Sequence, residues 1–316
     1  MSSSCLVTGG AGFIGSSIAR ALLARGDQVR VLDDFSTGKR ENLADLAARI
    51  DLHEGDIRDD AALERALAGV EVVFHEAAIP SVPRSLVDPL TSHDVDATGT
   101  LKVLFHAKKA GVRRVVYAAS SAAYGDTPTL PKIETMRPAP LSPYAVAKLA
   151  GELYCQMYAT AYGLETVSLR YFNVFGARQD PQSEYAAVIP RFVTAALRGE
   201  GVTIYGDGTQ SRDFCYIDNT VEANLLAAFA PAALVSGRMF NVACGEATTL
   251  NQVIELLGPI VGKKIPVTYA PARVGDVKHS LADIGEARAR LGYKGDVSFL
   301  EGLRRSVAWY VKSRAD

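Results

Sequence analysis

The feature that most constrains the fold of this chain is a run of closely spaced glycines near its start. Gly9, Gly12 and Gly15 follow an apolar strand candidate at 5–8 and open an amphipathic stretch at 12–24. Glycines at this spacing let the backbone turn tightly and approach a pyrophosphate, whose charge then lies at the positive end of the helix. Because a strand precedes the glycines and a helix follows them, the pattern predicts a dinucleotide-binding βαβ unit.

An acidic residue at the end of the next strand candidate, 29–33, indicates which dinucleotide. Asp33 can accept hydrogen bonds from an adenosine ribose and repels a 2′-phosphate, so the sequence favours NAD over NADP. A carboxylate at this place can also simply cap a loop. After the third strand candidate, Asp56 and Ile57 are predicted beside the adenine, with a plain turn as the alternative.

Alternation of strands and helices through the first half predicts the fold class. Further apolar strand candidates lie at 50–53, 70–75, 112–118 and 166–170, with helical stretches between them. Parallel strands need crossover helices, so we expect an α/β fold with a doubly wound parallel sheet of the Rossmann type.

The pattern becomes shorter and more irregular after Asn173, and a helix near 218–229 and a strand near 238–242 return to the sheet. We therefore expect a smaller, interleaved C-terminal substrate lobe. The predicted NAD-binding domain is 1–173 plus about 217–245, and the predicted lobe is about 174–216 plus 246–316.

Composition excludes several functions. The formal net charge is −1 with scattered Lys and Arg, so we expect no nucleic-acid partner. No apolar run reaches membrane-spanning length, and the chain enters its first strand without a basic leader, which favours a cytoplasmic protein without a membrane partner. The cysteines, Cys5, Cys155, Cys215 and Cys244, form no C-x-x-C pair, so we expect buried thiols and no metal site.

Candidate catalytic residues lie at the start of a later helix. Ser142-Pro143 is typical of an N-cap and first turn, which places Tyr144 and Lys148 on one helix face. A phenol with a pKa of about 10 is a poor base at neutral pH. One cation at about 5 Å, in an effective dielectric of roughly 20, would lower that pKa by about 2 units, and an oxidised nicotinamide would lower it further. We therefore expect Tyr144 to act as a base that Lys148 assists.

A serine at a strand end completes the predicted catalytic set. Ser120 closes the strand that begins near 112, and the carboxyl ends of parallel strands are where such sheets bind ligands. Its hydroxyl can hydrogen-bond the reacting oxygen. Ser121 is a close competitor for this role.

In their order and spacing these residues resemble the extended short-chain dehydrogenase/reductase family, and within it the nucleotide-sugar 4-epimerases of the bacterial UDP-N-acetylglucosamine type. The resemblance rests on G-x-x-G-x-x-G at 9–15, Asp33, Ser120, Y-x-x-x-K at 144–148, L-R-Y-F-N at 169–173, S-R-D-F at 211–214 and G-D-V-K-H-S-L-A-D at 275–283. It covers nearly the whole chain.

The resemblance implies further contacts. To NAD it adds Phe13, Ile14, Ala77, Ala78 and Tyr171, besides Tyr144 and Lys148. The residues it implies for the UDP-sugar are Ser81, Arg84, Ser120, Ser121, Tyr144, Asn173, Val188, Tyr205, Arg212, Arg273, Asp276 and Ser280. The arginines would face the diphosphate, because guanidinium forks match phosphate oxygens; a surface ion pair is the alternative for each.

Two positions depart from the pattern of these epimerases. Asp96 stands where an asparagine is common near the cofactor, and a carboxylate there needs a hydrogen-bond donor or a shifted pKa. Ala122 stands where relatives often carry a third hydroxyl.

The hypothesis that follows is NAD-dependent inversion of C4 in a UDP-hexose through a transient 4-ketone. Ser121 and Ala122 stand where dehydrating relatives carry acids, which disfavours a 4,6-dehydratase, although that enzyme or a reductase stays open as an alternative. A non-enzymatic NAD-sensing protein is disfavoured by the presence of Tyr144 and Lys148. The resemblance implies that the residue at 280 can block or admit a 2-acetamido group, and Ser280 is small, so we expect room for that group. UDP-GlcNAc and UDP-GalNAc are therefore the expected substrates, and UDP-glucose and UDP-galactose stay open as a second pair. The resemblance also implies that the helices near 91–110 and 143–162 pair with their copies in a homodimer.

Overall fold

The strands predicted from the sequence are present at the expected positions along the chain. The structure is a computed structural model that describes residues 2–181, 187–272 and 277–313. Its strands are β1 (Ser4–Thr8), β2 (Gln28–Asp33), β3 (Ile50–Glu54), β4 (Val72–His75), β5 (Arg114–Ser120), β6 (Glu165–Tyr171), β7 (Asn173–Phe175), β8 (Val202–Tyr205), β9 (Ser211–Tyr216), β10 (Arg238–Val242), β11 (Ala247–Thr249) and β12 (Val267–Ala270).

The α-helices lie between these strands and close the chain. They are α1 (Phe13–Arg25), α2 (Asp60–Leu67), α3 (Val82–Val87), α4 (Pro89–His93), α5 (Thr100–Lys109), α6 (Pro143–Tyr162), α7 (Val188–Arg198), α8 (Ile217–Phe229), α9 (Ala232–Val235), α10 (Leu250–Val261), α11 (Gly285–Leu291) and α12 (Phe299–Lys312). A π-helical turn at Asp94–Gly99 joins α4 to α5. The helix predicted near 91–110 is therefore present, but with this irregular segment inside it.

A seven-stranded parallel sheet forms the centre of the molecule, in the order β10-β6-β5-β4-β1-β2-β3. Strands such as β1 and β4 are buried on both faces, as their continuous apolar sequences require in a helix-covered parallel sheet. The strand order reverses between β1 and β4, and ligands bind beyond the carboxyl ends of the strands at such a reversal. The predicted doubly wound α/β fold is confirmed.

Two smaller sheets lie outside the central one. One has the order β11-β9-β7 and the other pairs β12 with β8. Their strands share an apolar core with α7, α10 and α12, in which Phe175, Phe214 and Phe299 contact one another. The domain boundaries given above stay a prediction.

Helix α6 is held firmly at both ends and in its middle. The Ser142 side chain accepts a hydrogen bond from Ala145 N at 3.2 Å, and Gly163 ends the helix in the left-handed conformation. Glu152, buried in the middle, forms a bidentate ion pair with Arg170 of β6 at 2.7 and 2.8 Å. The Arg170 guanidinium also lies over the Tyr124 ring at 4.5 Å. These contacts fix the helix that carries Tyr144 and Lys148 against the sheet.

Candidate active site

The glycine loop between β1 and α1 is shaped by close backbone contacts. A Cβ on Gly15 would lie 2.3 Å from Gly9 O, and a Cβ on Gly9, whose φ is +66°, would lie 2.6 Å from Ala77 N. Both positions therefore require glycine. Gly12 is the N-cap of α1 and supplies no side-chain cap, so the first N–H groups of the helix, at Phe13 and Ile14, are available to an anion. This loop fits a pyrophosphate.

Asp33, at the end of β2, holds the glycine loop in place. Its Oδ2 accepts a hydrogen bond from Ala11 N and its Oδ1 accepts one from Phe35 N, both at 2.8 Å. Burial raises the pKa of this carboxyl, and the two N–H donors oppose that rise. Asp33 therefore does cap a loop, which was the alternative to ribose binding. Each oxygen keeps a second lone pair for a ribose hydroxyl, so both roles are compatible.

The other predicted NAD contacts lie around the same edge of the sheet. Ala77 and Ala78 directly follow β4, and Ala77 N packs against Gly9. Ile57 is buried, whereas Asp56 is paired with Arg58 at 2.6 Å, which holds the pKa of the Asp56 carboxyl below its usual range. Asp56 is therefore ionised and already paired with Arg58, so a contact with adenine would add to this ion pair.

The three predicted catalytic side chains come together at the carboxyl end of β5. Ser120 caps a 3₁₀ turn at Ser121–Tyr124 by accepting a hydrogen bond from Ala122 N at 3.2 Å. Its side chain also lies close enough to Tyr144 to lower the pKa of that phenol. Lys148 lies one turn further along α6 and is buried. Its Nζ donates to Ala118 O at 2.7 Å and lies 5.0 Å from the centre of the Tyr117 ring.

The expected lowering of the Tyr144 pKa is not produced by the protein's own residues. Burial raises the pKa of the Tyr144 phenol to about 12, the hydrogen bond with Ser120 opposes this, and the charge of Asp96 adds to it. Burial also lowers the pKa of Lys148. Desolvation of the phenolate thus outweighs the attraction to Lys148 that we expected from the sequence. Burial removes the water that would stabilise the charged phenolate, and the sequence pattern does not reveal that burial.

A carboxyl group that the sequence analysis overlooked lies beside the predicted cofactor site. Glu76 directly follows β4, and its Oε1 accepts a hydrogen bond from the Tyr171 hydroxyl at 2.8 Å. Asn224 Nδ2 donates to the same hydroxyl at 2.7 Å. Burial raises the pKa of Glu76 to about 7. Its position at the carboxyl end of a parallel strand was the signal that could have identified it.

Asp96 lies in the π-helical turn and is 1% exposed. Its Oδ1 accepts a hydrogen bond from Ile79 N at 2.7 Å, so the donor that a carboxylate needs there is present. Burial nevertheless raises the pKa of Asp96 to about 6.

Three of the predicted substrate residues lie on or beside the small sheet that contains β7 and β9. Asn173 donates from Nδ2 to Asp213 O at 3.3 Å, and Arg212 donates to Lys278 O at 3.1 Å. Ser280 N donates to Ser211 O at 3.1 Å, which joins the segment around 278–280 to β9. These contacts place all three residues on or beside β9.

The remaining predicted substrate residues are more scattered. Ser81 is the N-cap of α3 and accepts a hydrogen bond from Arg84 N at 3.1 Å, while the Arg84 side chain is exposed. Val188 begins α7 and Tyr205 ends β8, both partly buried. Arg273 and Asp276 lie outside the residues that the structure describes.

A cleft of about 810 Å³ lies between the loop after β2, the segment after β7 and the end of α12. Phe35, Lys39, Arg178 and Trp309 are among its lining residues, and Lys39 pairs with Asp180 across it at 2.7 Å. Ser120, Tyr144 and Lys148 do not line this cleft. It borders the loop that Asp33 holds and is separate from the catalytic residues.

The described residues include no cluster of three or more His, Cys, Asp or Glu side chains placed to hold a metal ion. Of the helices in the described ranges, none is both long and apolar enough to cross a membrane.

Comparison with known proteins gives consistent matches along the chain. The model of a family described as the NAD dependent epimerase/dehydratase family matches residues 5–243. A UDP-glucose 4-epimerase of Mycolicibacterium smegmatis is 39% identical over 310 residues, which cover 96% of this chain and 97% of that protein.

Two solved structures have nearly the same fold. A UDP-N-acetylglucosamine 4-epimerase from Methanobrevibacter ruminantium, in complex with UDP-N-acetylmuramic acid, is 41% identical with a TM-score of 0.93, covering 99% of both chains. A UDP-glucose 4-epimerase of Thermus thermophilus, in complex with NAD, is 38% identical with a TM-score of 0.89, covering 98% of this chain and 99% of that one.

Proposed function

Because this chain belongs to the NAD dependent epimerase/dehydratase family, we propose that it is an enzyme that inverts C4 of a UDP-hexose with NAD as its cofactor. The observation that carries the proposal is the meeting of Ser120, Tyr144 and Lys148 at the carboxyl edge of the sheet, beside a loop shaped for a pyrophosphate. Relatives that are named as 4-epimerases match nearly the whole chain.

The residues of the glycine loop would hold the cofactor. Gly9, Gly12 and Gly15 would leave room for the pyrophosphate, Asp33 would offer lone pairs to the adenosine ribose, and Lys148 and Tyr171 would contact the nicotinamide half of NAD. Bound NAD would supply a reversible hydride acceptor and, when oxidised, a positive charge next to Tyr144.

The chain's own residues would move the proton. Tyr144 takes the proton from the 4-hydroxyl as the 4-ketone forms and returns it after the ketone has turned over. Ser120 would hydrogen-bond the reacting oxygen, because its side chain lies beside the Tyr144 phenol. Lys148 keeps a positive charge next to the phenol. Because the described residues alone hold the Tyr144 pKa at about 12, positive charge in the occupied site would have to make Tyr144 a usable base.

The smaller sheets would bind the rest of the substrate. Asn173 and Arg212 lie on adjacent strands, and an arginine there can form a forked contact with the diphosphate. We propose UDP-GlcNAc and UDP-GalNAc as substrates, with UDP-glucose and UDP-galactose also accepted. The argument for the acetylated pair is the small side chain of Ser280, which would leave room for a 2-acetamido group.

A 4,6-dehydratase is the nearest alternative, because the family includes dehydratases. Elimination of water needs an added acid and base next to the sugar. Ser121 and Ala122 follow Ser120 where those acids are expected. The nearby carboxyl of Asp96 is 1% exposed, so it is not presented to a sugar, and the Glu76 carboxyl already accepts a hydrogen bond from the Tyr171 hydroxyl. These contacts favour epimerisation.

We also propose a homodimer that forms through α5 and α6. Helix α6 carries Val146, Leu153 and Met157 as exposed apolar side chains, and α5 carries Phe105, which is 55% exposed. Apolar residues grouped on neighbouring helices are typical of a subunit interface.

The decisive experiment is to incubate the purified protein with each of four UDP-hexoses, namely UDP-GlcNAc, UDP-GalNAc, UDP-glucose and UDP-galactose. Proton NMR of the anomeric region identifies the products, and mass spectrometry checks for lost water. Interconversion without a mass change supports the proposal. A product 18 Da lighter, or no product while NAD binds, would instead indicate a dehydratase or a non-enzymatic NAD-binding protein.

A further inference from the structure

Asp96 is an unusual residue to find inside this fold. Its side chain is 1% exposed, and only Oδ1 has a well-formed hydrogen bond, from Ile79 N at 2.7 Å. Among the described residues Oδ2 has no partner of ordinary geometry, and neither has Oγ of Ser92. An ionised carboxylate with a free buried oxygen is costly unless an opposite charge lies nearby. A π-helical turn, which often marks a functional site, positions it. This turn packs directly against α6, the helix that carries Tyr144 and Lys148.

Lys148 is the cation that needs a nearby negative charge. It is 4% exposed, and the hydrogen bond that the structure gives its Nζ is the one to Ala118 O, above the Tyr117 ring. No carboxylate in the described ranges lies within ion-pair distance of Nζ. Burial lowers the pKa of Lys148, and of the groups that raise it Asp96 has the largest effect.

Other titratable groups face the same space from each neighbouring element. Glu76, after β4, also raises the pKa of Lys148, with a smaller effect than Asp96. Cys155 lies further along α6, and Tyr117 lies on β5 beneath the ammonium group. His75 of β4 has a pKa lowered to about 3 by burial, so it is neutral and adds no charge. Asp96 is therefore the strongest of the anionic influences on Lys148.

We propose that Asp96 is the counter-charge that keeps Lys148 ionised inside the core, and so acts as a positioning residue for the Tyr144–Lys148 pair. The inference rests on the proposed function, in which that pair carries the proton transfer. An asparagine at 96 could accept from Ile79 N and donate to Ser92, but it would leave Lys148 without its main counter-charge. The negative charge, rather than the hydrogen bonds, is what distinguishes Asp96 from an asparagine at this position.

The charge of Asp96 should affect how kcat/KM depends on pH. The negative charge of Asp96 favours the ammonium of Lys148 and also repels the phenolate of Tyr144, so it raises the pKa of both groups. Removing the charge lowers both. In an Asp96→Asn variant the acid limb of kcat/KM, set by Tyr144, and the alkaline limb, set by Lys148, should therefore both move to lower pH.

The test compares the pH profiles of kcat/KM for wild type and Asp96→Asn on a UDP-hexose that the enzyme converts. We expect both limbs to move down by roughly half to one pH unit. Asp27→Asn is the matched control, because Asp27 is also buried and accepts a backbone N–H, from Ser3 at 3.0 Å. It directly precedes β2 and so lies at the amino ends of the strands, away from Lys148. The control profile should not move. Glu76→Gln should give a smaller shift than Asp96→Asn.

A second readout does not need activity. Lysine labelled with ¹³C at Cε is followed by NMR in the purified protein, and the Lys148 signal is assigned from its absence in Lys148→Met. In wild type this signal should show a step near pH 6, where Asp96 titrates. Glu76, whose pKa is about 7, also acts on Lys148, so the titration is repeated in Glu76→Gln, where the step near pH 6 should persist. In Asp96→Asn the step near pH 6 should disappear and the Lys148 pKa should fall.

The outcomes separate the two proposals. If wild type converts no UDP-hexose, the proposed function fails, while the NMR titration still decides the relation of Asp96 to Lys148. If wild type is active but lacks the step near pH 6, or if Asp96→Asn matches Asp27→Asn, then Asp96 is only structural and the inference is wrong. The titration of Glu76→Gln, in which only Asp96 can produce the step near pH 6, gives this answer even if Asp96→Asn does not fold.

Discussion

Tyr144 carries a phenol whose pKa the surrounding residues hold at about 12, chiefly through burial. The same burial lowers the pKa of Lys148, so the two side chains are poised by opposing effects of one environment. At the scale of a residue, the chemistry proposed here depends on a proton that leaves and returns to a single oxygen atom.

Replacing Tyr144 by phenylalanine removes that oxygen and leaves the ring. We expect a loss of roughly 10²–10⁴-fold in kcat, because general base catalysis typically contributes that much. NAD content and Tm should stay close to wild type. Tyr162→Phe, at the exposed end of the same helix, is the control. Epimerase activity that survives Tyr144→Phe would mean that another group takes the proton.

Ser280 tests the choice of sugar. A Ser280→Tyr variant should lose activity on UDP-GlcNAc and UDP-GalNAc far more than on UDP-glucose and UDP-galactose, since the larger ring would occupy the space for the acetamido group. The ratio of kcat/KM for the two pairs, measured on one preparation, is its own control. Full activity on the acetylated pair would contradict the argument from the size of this side chain.

At the scale of an element, the loop between β1 and α1 depends on backbone packing. A Gly15→Ala variant would place a methyl group 2.3 Å from Gly9 O, so the loop must shift. We expect a large loss of NAD affinity, measured by isothermal titration calorimetry.

The control for this variant is Gly199→Ala, where φ is +74° and no atom lies within 4 Å of the new methyl group. Strain at the backbone should cost it about 1 kcal/mol of stability without weakening NAD. Equal losses of NAD affinity in the two variants would show that general destabilisation, not the loop, is responsible.

Elements with a strong local signal could be predicted from the sequence. The Ser142 cap, the pair Tyr144 and Lys148 on one helix face, and the strands of the central sheet all have a periodic or capping pattern. The pKa values and hydrogen bonds of the site could not be predicted from the sequence, because they depend on burial that arises from packing between distant segments. The sequence could not give the partner of Tyr171, the pKa of Tyr144 or the π-helical turn that orients Asp96.

At the scale of the whole molecule, the exposed apolar side chains of α5 and α6 test the proposed dimer. Leu153 is 54% exposed, and Leu153→Asp would place a charge within the interface. We expect a shift from dimer to monomer in size-exclusion chromatography with light scattering. Val311→Asp is the control, because Val311 is similarly exposed on α12 but lies on another helix. A wild-type monomer would contradict the proposal.

The last strand of the central sheet, β10, pairs with β6, although the segment with β7, β8 and β9 lies between them in the chain. During synthesis on the ribosome, the edge of β6 that pairs with β10 therefore stays without a partner until residue 242 has left the ribosome. An unpaired, apolar strand edge is a place where nascent chains associate wrongly. Ribosome pausing or truncation between 171 and 238 should therefore favour aggregation over a stable half-molecule.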